Sequence, residues 1–157
     1  MRYWLFKTEP GTFSFDDLMK APKRTTHWDG VRNYQARGFL RDDVKVGDQV
    51  FIYHSSIDEP CVVGIAKVTR EGYPDHTAFD KKDPHFDPDS DPTAPSWYMV
   101  DIQAVEKLPK PVTLSQMRAE PALAGMGLLK KGNRLSIQEV RAPEWAKVCA
   151  MGGKAKA

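Results

Sequence analysis

Apolar and polar positions alternate in short blocks along this chain. There are no long helical stripes, and the blocks predict strands mixed with short helices. Residues 2–7 carry Tyr3, Trp4 and Phe6 and predict a first strand, closed by Glu9-Pro10-Gly11. Ser14 reads as the N-cap of a short helix anchored by Leu18 and Met19 and ending before Pro22. Asn33 caps a second helix through residues 34–40, weakened by Gly38. Val46-Gly47-Asp48 turns into a strand at 49–54. Residues 61–70 form the next strand, with Gly64 as a bulge or close-approach point, and the polar connector 55–60 makes the two a hairpin. Residues 96–106 return to strand character. Thr113 and Gln116 form a capping box for a helix to about Arg118. After a loop at 125–133 with a basic corner at Lys130-Lys131-Gly132, residues 134–140 give a last strand. Pro143 then opens a terminal helix that stops at Gly152-Gly153.

Two segments break the pattern. Residues 23–41 hold Lys23, Arg24, Arg32, Arg37 and Arg41 against one acid, Asp29, with Trp28, Tyr34 and Phe39 interleaved. Residues 71–95 hold Asp75, Asp80, Asp83, Asp87, Asp89 and Asp91 among five prolines and predict a long, solvated acidic loop. The sum is an α+β domain of about six strands with peripheral short helices, spanning residues 1–152, with 153–157 a frayed tail. Without long βαβ units, a doubly wound parallel sheet is disfavoured.

Composition narrows the class. At 157 residues, 41% hydrophobic and 28% charged, the chain is an ordinary globular domain. A chain of this size buries roughly 68–70% of its unfolded surface. No apolar run approaches the ~18–20 residues of a membrane span, and the N-terminus lacks the features of a secretory signal. Cys61 and Cys149 stand apart and are expected to be reduced thiols. The expectation is a cytoplasmic monomer that makes no use of a membrane. The net charge of +2 argues against a bulk polyanion binder, although it conceals −5 across residues 75–101 and +6 across 102–157.

No catalytic kit is complete. Asp87, Asp89 and Asp91 have the spacing of an EF-hand start, but Pro92 and Tyr98 stand where Gly and Glu are needed, so no metal is expected. His54 and Ser55 are neighbours on a strand and point to opposite faces, which hinders a base–nucleophile pair. The motifs of zinc deaminases and of phosphate-binding loops are missing. What remains is a binding constellation. Trp28 and Trp97 sit at loop edges where a nucleobase could stack. Asn33 and Ser55 could read its edge, and Lys7, Arg32 and Arg37 could meet phosphate. The same residues also suit a core aromatic cluster beside a solvated basic helix. Two other readings stay open: a small hydrolase or transferase acting through His54 and Ser55, and an adaptor whose acidic loop docks on a basic partner.

Residues 28–37 (Trp-Asp-Gly-Val-Arg-Asn-Tyr-Gln-Ala-Arg) closely resemble the signature segment of the EVE-domain family. Residues 3–10, Tyr53-His54-Ser55-Ser56, Val63-Gly64-Ile65-Ala66, Trp97, Pro111-Val112-Thr113-Leu114 and Arg134-Leu135-Ser136 agree in the same order. The resemblance implies a PUA-like fold, a small twisted β-barrel with helices around it. It also implies a non-catalytic, cofactor-free reader of a modified base, a methylated cytosine or adenine derivative in DNA or RNA. Carried over, the pocket comprises Trp28, Val31, Asn33, Tyr34, His54, Ser55 and Trp97. Lys7, Arg32, Arg37 and Arg134 bind phosphate or shape the rim. Gly38 stands where many relatives carry Asn, and residues 79–95 match nothing specific, which leaves the pocket's lid unassigned.

Overall fold

The three central strands are apolar on both faces, and that sets the layout. In the computed structural model, which describes residues 1–154, β1 (Tyr3–Thr8), β2 (Thr25–Trp28), β3 (Gln49–His54), β4 (Cys61–Pro74), β5 (Tyr98–Thr113) and β6 (Ile137–Val140) form one sheet. Its order is β2-β5-β4-β3-β1-β6. β1 pairs in parallel with β3, and the other pairings are antiparallel. Alternation along each strand feeds two cores. Trp4, Phe6, Val50 and Ile52 face one core, closed by Phe15 and Leu18 of α1 (Phe15–Lys20) and Ala36 of α2 (Tyr34–Gly38). Leu5, Phe51 and Tyr53 face the other, closed by Met117 of α3 (Leu114–Arg118) and Trp145 and Val148 of α4 (Ala142–Met151). Trp145 stacks on Phe51 with ring centroids 3.7 Å apart. Trp4 is fully buried, and its indole N–H is satisfied by Asp48 at 2.9 Å.

Gly64 does both jobs its sequence context suggested. The β4 register shifts between Val62 and Gly64, so Val62 and Ile65 face the second core while Val63 and Ala66 face the first. The Phe15 ring lies over Gly64, 2.5 Å from where a Cβ would stand.

Several expectations need correction. β4 and β5 run 14 and 16 residues, well past the predicted limits: residues 71–74 of β4 keep pairing beyond the core, and residues 107–113 of β5 pair back toward Cys61 and Val62 while burying Leu108 and Val112 in the second core. Tyr73 lies opposite Met99, and Cys61 opposite Thr113. Residues 71–74 are therefore strand, and His76–Phe79 form a 3-10 turn, so the predicted acidic loop is shorter than expected. β2 was hidden inside the basic segment. It is a four-residue edge strand held on one side by β5. β6 begins at Ile137 instead of 134. Gly38 does not break α2; it keeps helical angles, and the chain continues into a π-helical turn at Phe39–Asp43.

The sheet is open. Among the described residues no pairing joins β2 to β6, so it does not close into the barrel that the resemblance implied. The π-turn segment packs against β4, β5 and β6.

Gly153 and Lys154, expected to fray, complete a Schellman cap: Lys154 N–H donates to Cys149 O at 3.0 Å and Gly153 N–H to Ala150 O at 3.1 Å. The rest of the predicted tail, 155–157, lies outside the described residues. Among the described residues no helix is long and apolar enough to cross a membrane.

A Gly64→Ala substitution forces its methyl group into the Phe15 ring. Overpacking of this kind costs about 1–3 kcal/mol, to be read as a lowered urea midpoint with an unchanged m-value.

Candidate functional site

The signature segment leaves β2 through a turn that requires glycine. Gly30 has φ +75, and the His85 ring occupies the space of its absent Cβ, at 2.6 Å. Asp75, at the end of β4, is fully buried beneath this turn. Its carboxylate accepts from Gly30 N–H at 2.8 Å, Thr77 N–H at 2.8 Å, the Thr77 hydroxyl at 2.5 Å and the Arg32 guanidinium at 3.0 Å. Burial alone would push this carboxyl up. The bonds from Thr77, Gly30 and Arg32 outweigh it and hold the group below the ordinary carboxylate range.

Arg32 also donates to the His85 carbonyl, from Nε at 3.2 Å and Nη2 at 2.7 Å. The acidic loop is thereby strapped to the signature segment. A second strap is Trp97, whose indole donates to Asp87 at 2.5 Å and whose ring stacks on Tyr34 with centroids 5.0 Å apart. Arg37 closes the same corner by donating to the Ser96 carbonyl at 3.0 Å.

The strapped loop contributes His85 to the wall of a cleft of about 340 Å³ between the end of β1, the following loop and β2. Such a volume lies at the small end of ligand pockets, ~300–1,000 Å³. Trp28 is its floor, backed by Phe6 and met edge-on by Phe13, at centroid distances of 5.6 and 6.2 Å. Thr8, Thr12, Thr26, His27, Asp29 and His85 line the walls. Lys7 also lines the cleft. Its ammonium lies 5.9 Å from the Tyr53 ring centre, and burial pushes its pKa down. An aromatic floor with hydroxyl, carboxylate and imidazole groups above it can hold a flat, polar-edged ring.

The residues singled out from the sequence are distributed over several places. Trp28 and Lys7 reach this cleft. Val31 is buried in the core behind it. Asn33 accepts from Ala36 N–H at 3.0 Å as the α2 cap and lines a second, shallower groove with Arg134. Tyr34 and Trp97 stack on each other away from the cleft, while Arg32 and Arg37 hold the loop in place. His54 Nε2 accepts from Phe15 N–H at 3.1 Å, and burial lowers the pKa of the imidazole, favouring the neutral form that can accept. The Ser55 hydroxyl donates to the Thr8 carbonyl at 3.4 Å, behind the cleft wall. Both groups of the hydrolase reading are thus engaged with backbone at the β1–α1 corner.

Trp28 and Trp97 are only 9% and 6% exposed. Each packs as well as presents a face, and truncating either would cost roughly 3–5 kcal/mol. The acidic loop is not simply solvated either. Asp83, Asp87 and Asp91 accept from backbone N–H groups two residues on, fixing its turns. Among the described residues no group of three or more His, Cys, Asp or Glu is placed to hold a metal ion.

The sequence reading missed Thr8, Thr12, Phe13, Thr26, His27, Asp29 and His85. His27 and Asp29 flank Trp28 and were within reach of inspection. Nothing local marks His85 as a partner of Gly30.

Comparison with known proteins places this arrangement. The EVE domain family model matches residues 2–151. Thymocyte nuclear protein 1 of Homo sapiens is 41% identical over 168 residues, covering 97% of this chain and 74% of that protein. The crystal structure of human THYN1 protein in complex with 5-methylcytosine-containing DNA superposes with a TM-score of 0.91 at 40% identity, covering 99% of this chain and 100% of that one. A hypothetical protein from Leishmania major superposes with a TM-score of 0.91 at 42% identity, covering 98% and 96% of the two chains.

Replacing Asp75 with Asn turns one acceptor toward donors and leaves Arg32 without its counter-charge. Breaking a buried pair costs about 3–5 kcal/mol; the partial exposure of Arg32 puts this case near 3 kcal/mol. Because the Asp75 pKa is depressed on folding, its stabilisation is present above the ordinary value of 3.8 and is lost as pH falls through the folded value. Urea melts from pH 7 down to 3 should show an acid-labile component in the wild type that Asp75→Asn lacks.

Proposed function

The chain belongs to the EVE domain family, and we propose that it is a non-catalytic nucleic-acid-binding module that reads a modified base, a methylated cytosine or adenine derivative, in the Trp28 cleft. The observation that carries this reading is the cleft itself: a tryptophan floor of ring size with polar groups around it. A base leaves its stack at a cost of a few kcal/mol before such a pocket can read it. Stacking on an aromatic ring returns about 1–3 kcal/mol. The Asp29 carboxylate suits the exocyclic amino group that cytosine and adenine both carry. The methyl groups of Thr8, Thr12 and Thr26 suit a base methyl. Lys7 makes no ion pair among the described residues, and a phosphate beside it would favour the charged ammonium that burial disfavours.

The human relative was solved with 5-methylcytosine-containing DNA, which makes that base the first to test here. Fluorescence anisotropy with oligonucleotides differing only in one cytosine or 5-methylcytosine is the direct measurement. A pocket methyl contact is worth about 1–3 kcal/mol, so the preference should lie between roughly tenfold and two-hundredfold. Asp29→Asn should weaken both ligands, whereas His85→Ala should mainly narrow the ratio. Equal affinity for plain and modified bases across a panel of cytosine and adenine derivatives would overturn the reading.

A further inference from the structure

Reading a single base leaves the second groove unexplained. It lies between α2 and the loop before β6, is lined by Asn33, Gln35, Gly132, Asn133, Arg134 and Leu135, and encloses about 340 Å³. Its loop wall is rigid. Asn133 donates to the Gly127 carbonyl at 2.7 Å and to Gln138 Oε1 at 3.1 Å, and accepts from Leu135 N–H at 3.0 Å. Arg134 lines the groove, and Lys130 and Lys131 immediately precede the wall in sequence; all three are exposed. Among the described residues none of them makes an ion pair.

The groove borders the base cleft. Lys7 N–H, on the strand that lines the cleft, donates to the carbonyl of Ser136, next to Leu135, at 2.9 Å. On the other side, residues 30–32 run directly from Asp29 in the cleft to Asn33 in the groove. Beside Asn33, Tyr34 is 67% exposed yet held flat against the buried Trp97, with 24° between the rings. An exposed aromatic on the same turn as the groove-lining Asn33 and Gln35, with the Arg37 guanidinium 5.1 Å from its ring centre, and a facing wall that carries unpaired cations fit a nucleotide, with its base on the ring and its phosphate on the cations.

We infer that this groove holds the nucleotide flanking the base read in the Trp28 cleft, with Lys130, Lys131 and Arg134 on its phosphate and Tyr34 stacked on its base. The inference rests on the base-reading proposal and deepens it. The ligand is a strand of at least two nucleotides, and the protein engages the chain on one side of the modified base. Because the groove lies on one side of the cleft, extending the ligand in one direction contributes far more than extending it in the other.

The test uses single-stranded oligonucleotides with one 5-methylcytosine, lengthened separately on the 5′ and 3′ sides. They are titrated against the wild type, a Lys130→Gln/Lys131→Gln/Arg134→Gln triple variant, Tyr34→Ala and Tyr34→Phe. Urea midpoints establish that each variant is folded. For the wild type, one flank should raise affinity about tenfold or more and the other should not. The triple variant should lose that gain, and its slope of log K against log salt should fall by about 0.7 for each phosphate contact removed. Tyr34→Ala should lose about tenfold and Tyr34→Phe should keep it. All variants should retain the ratio between modified and plain base. If the wild type shows that ratio but both flanks contribute equally, or the variants match the wild type, the groove proposal is overturned and base reading stands. If the wild type binds no oligonucleotide of any length, both fall together.

Discussion

A carboxylate with no solvent exposure, Asp75, sits beneath the loop that walls the cleft, and the geometry around it follows from keeping it satisfied. An isolated buried charge costs several kcal/mol even after relaxation. Four donors offset that here, and each imposes a condition. The Gly30 N–H must point inward, which needs positive φ and leaves room for the His85 ring. Thr77 must follow within two residues, which makes the 3-10 turn. Arg32 must fold inward, and from there its remaining N–H groups reach the His85 carbonyl. The loop, the turn and one cleft wall are therefore a single hydrogen-bonded unit. Arg32, one of the phosphate ligands expected from the sequence, is occupied inside it.

How much of this was legible depended on whether the cause was local. β1, β3, the Gly64 bulge, the Thr113 capping box and the end of α4 rest on alternation, capping chemistry and glycine spacing, all visible within a few residues. β2 was not, because Thr-Thr-His-Trp pairs on one side only and carries no alternation of its own. The far ends of β4 and β5 were invisible for a related reason. Beyond the core the end of β4 is held by backbone pairing, which leaves Arg70 and Glu71 as polar as any loop; in the end of β5 the prolines and lysines at 107–111 mask the buried Leu108 and Val112.

In the site, Trp28 was legible from its neighbours, and the family resemblance located the segment. Neither could tell which side chains point inward. Asn33 caps a helix, His54 braces α1, and Tyr34 stacks on Trp97, each a role fixed by a partner distant in sequence or by helix geometry. An aspartate that caps a turn and one that merely faces water look alike in composition. The acidic loop therefore read as solvated when Asp75, Asp83, Asp87 and Asp91 were building it.

On the proposed function, a net charge of +2 must be compatible with binding a polyanion, and the acidic loop bears on how. Its acids are committed to their own backbone and to Arg32. At physiological ionic strength exposed charges are screened beyond about 8 Å. The cations at Lys130, Lys131 and Arg134 therefore carry a local field that distant aspartates do little to cancel. Three such cations are enough to align a strand and too few to hold one without regard to sequence. On that proposal, most of the affinity comes from the base stacked on Trp28. The proposed division of labour is that the groove sets direction and the cleft decides. An even spread of positive charge over the surface would remove the distinction; here the cations cluster at Lys130, Lys131 and Arg134, while Asp80, Asp89 and Asp91 stay exposed on a separate loop.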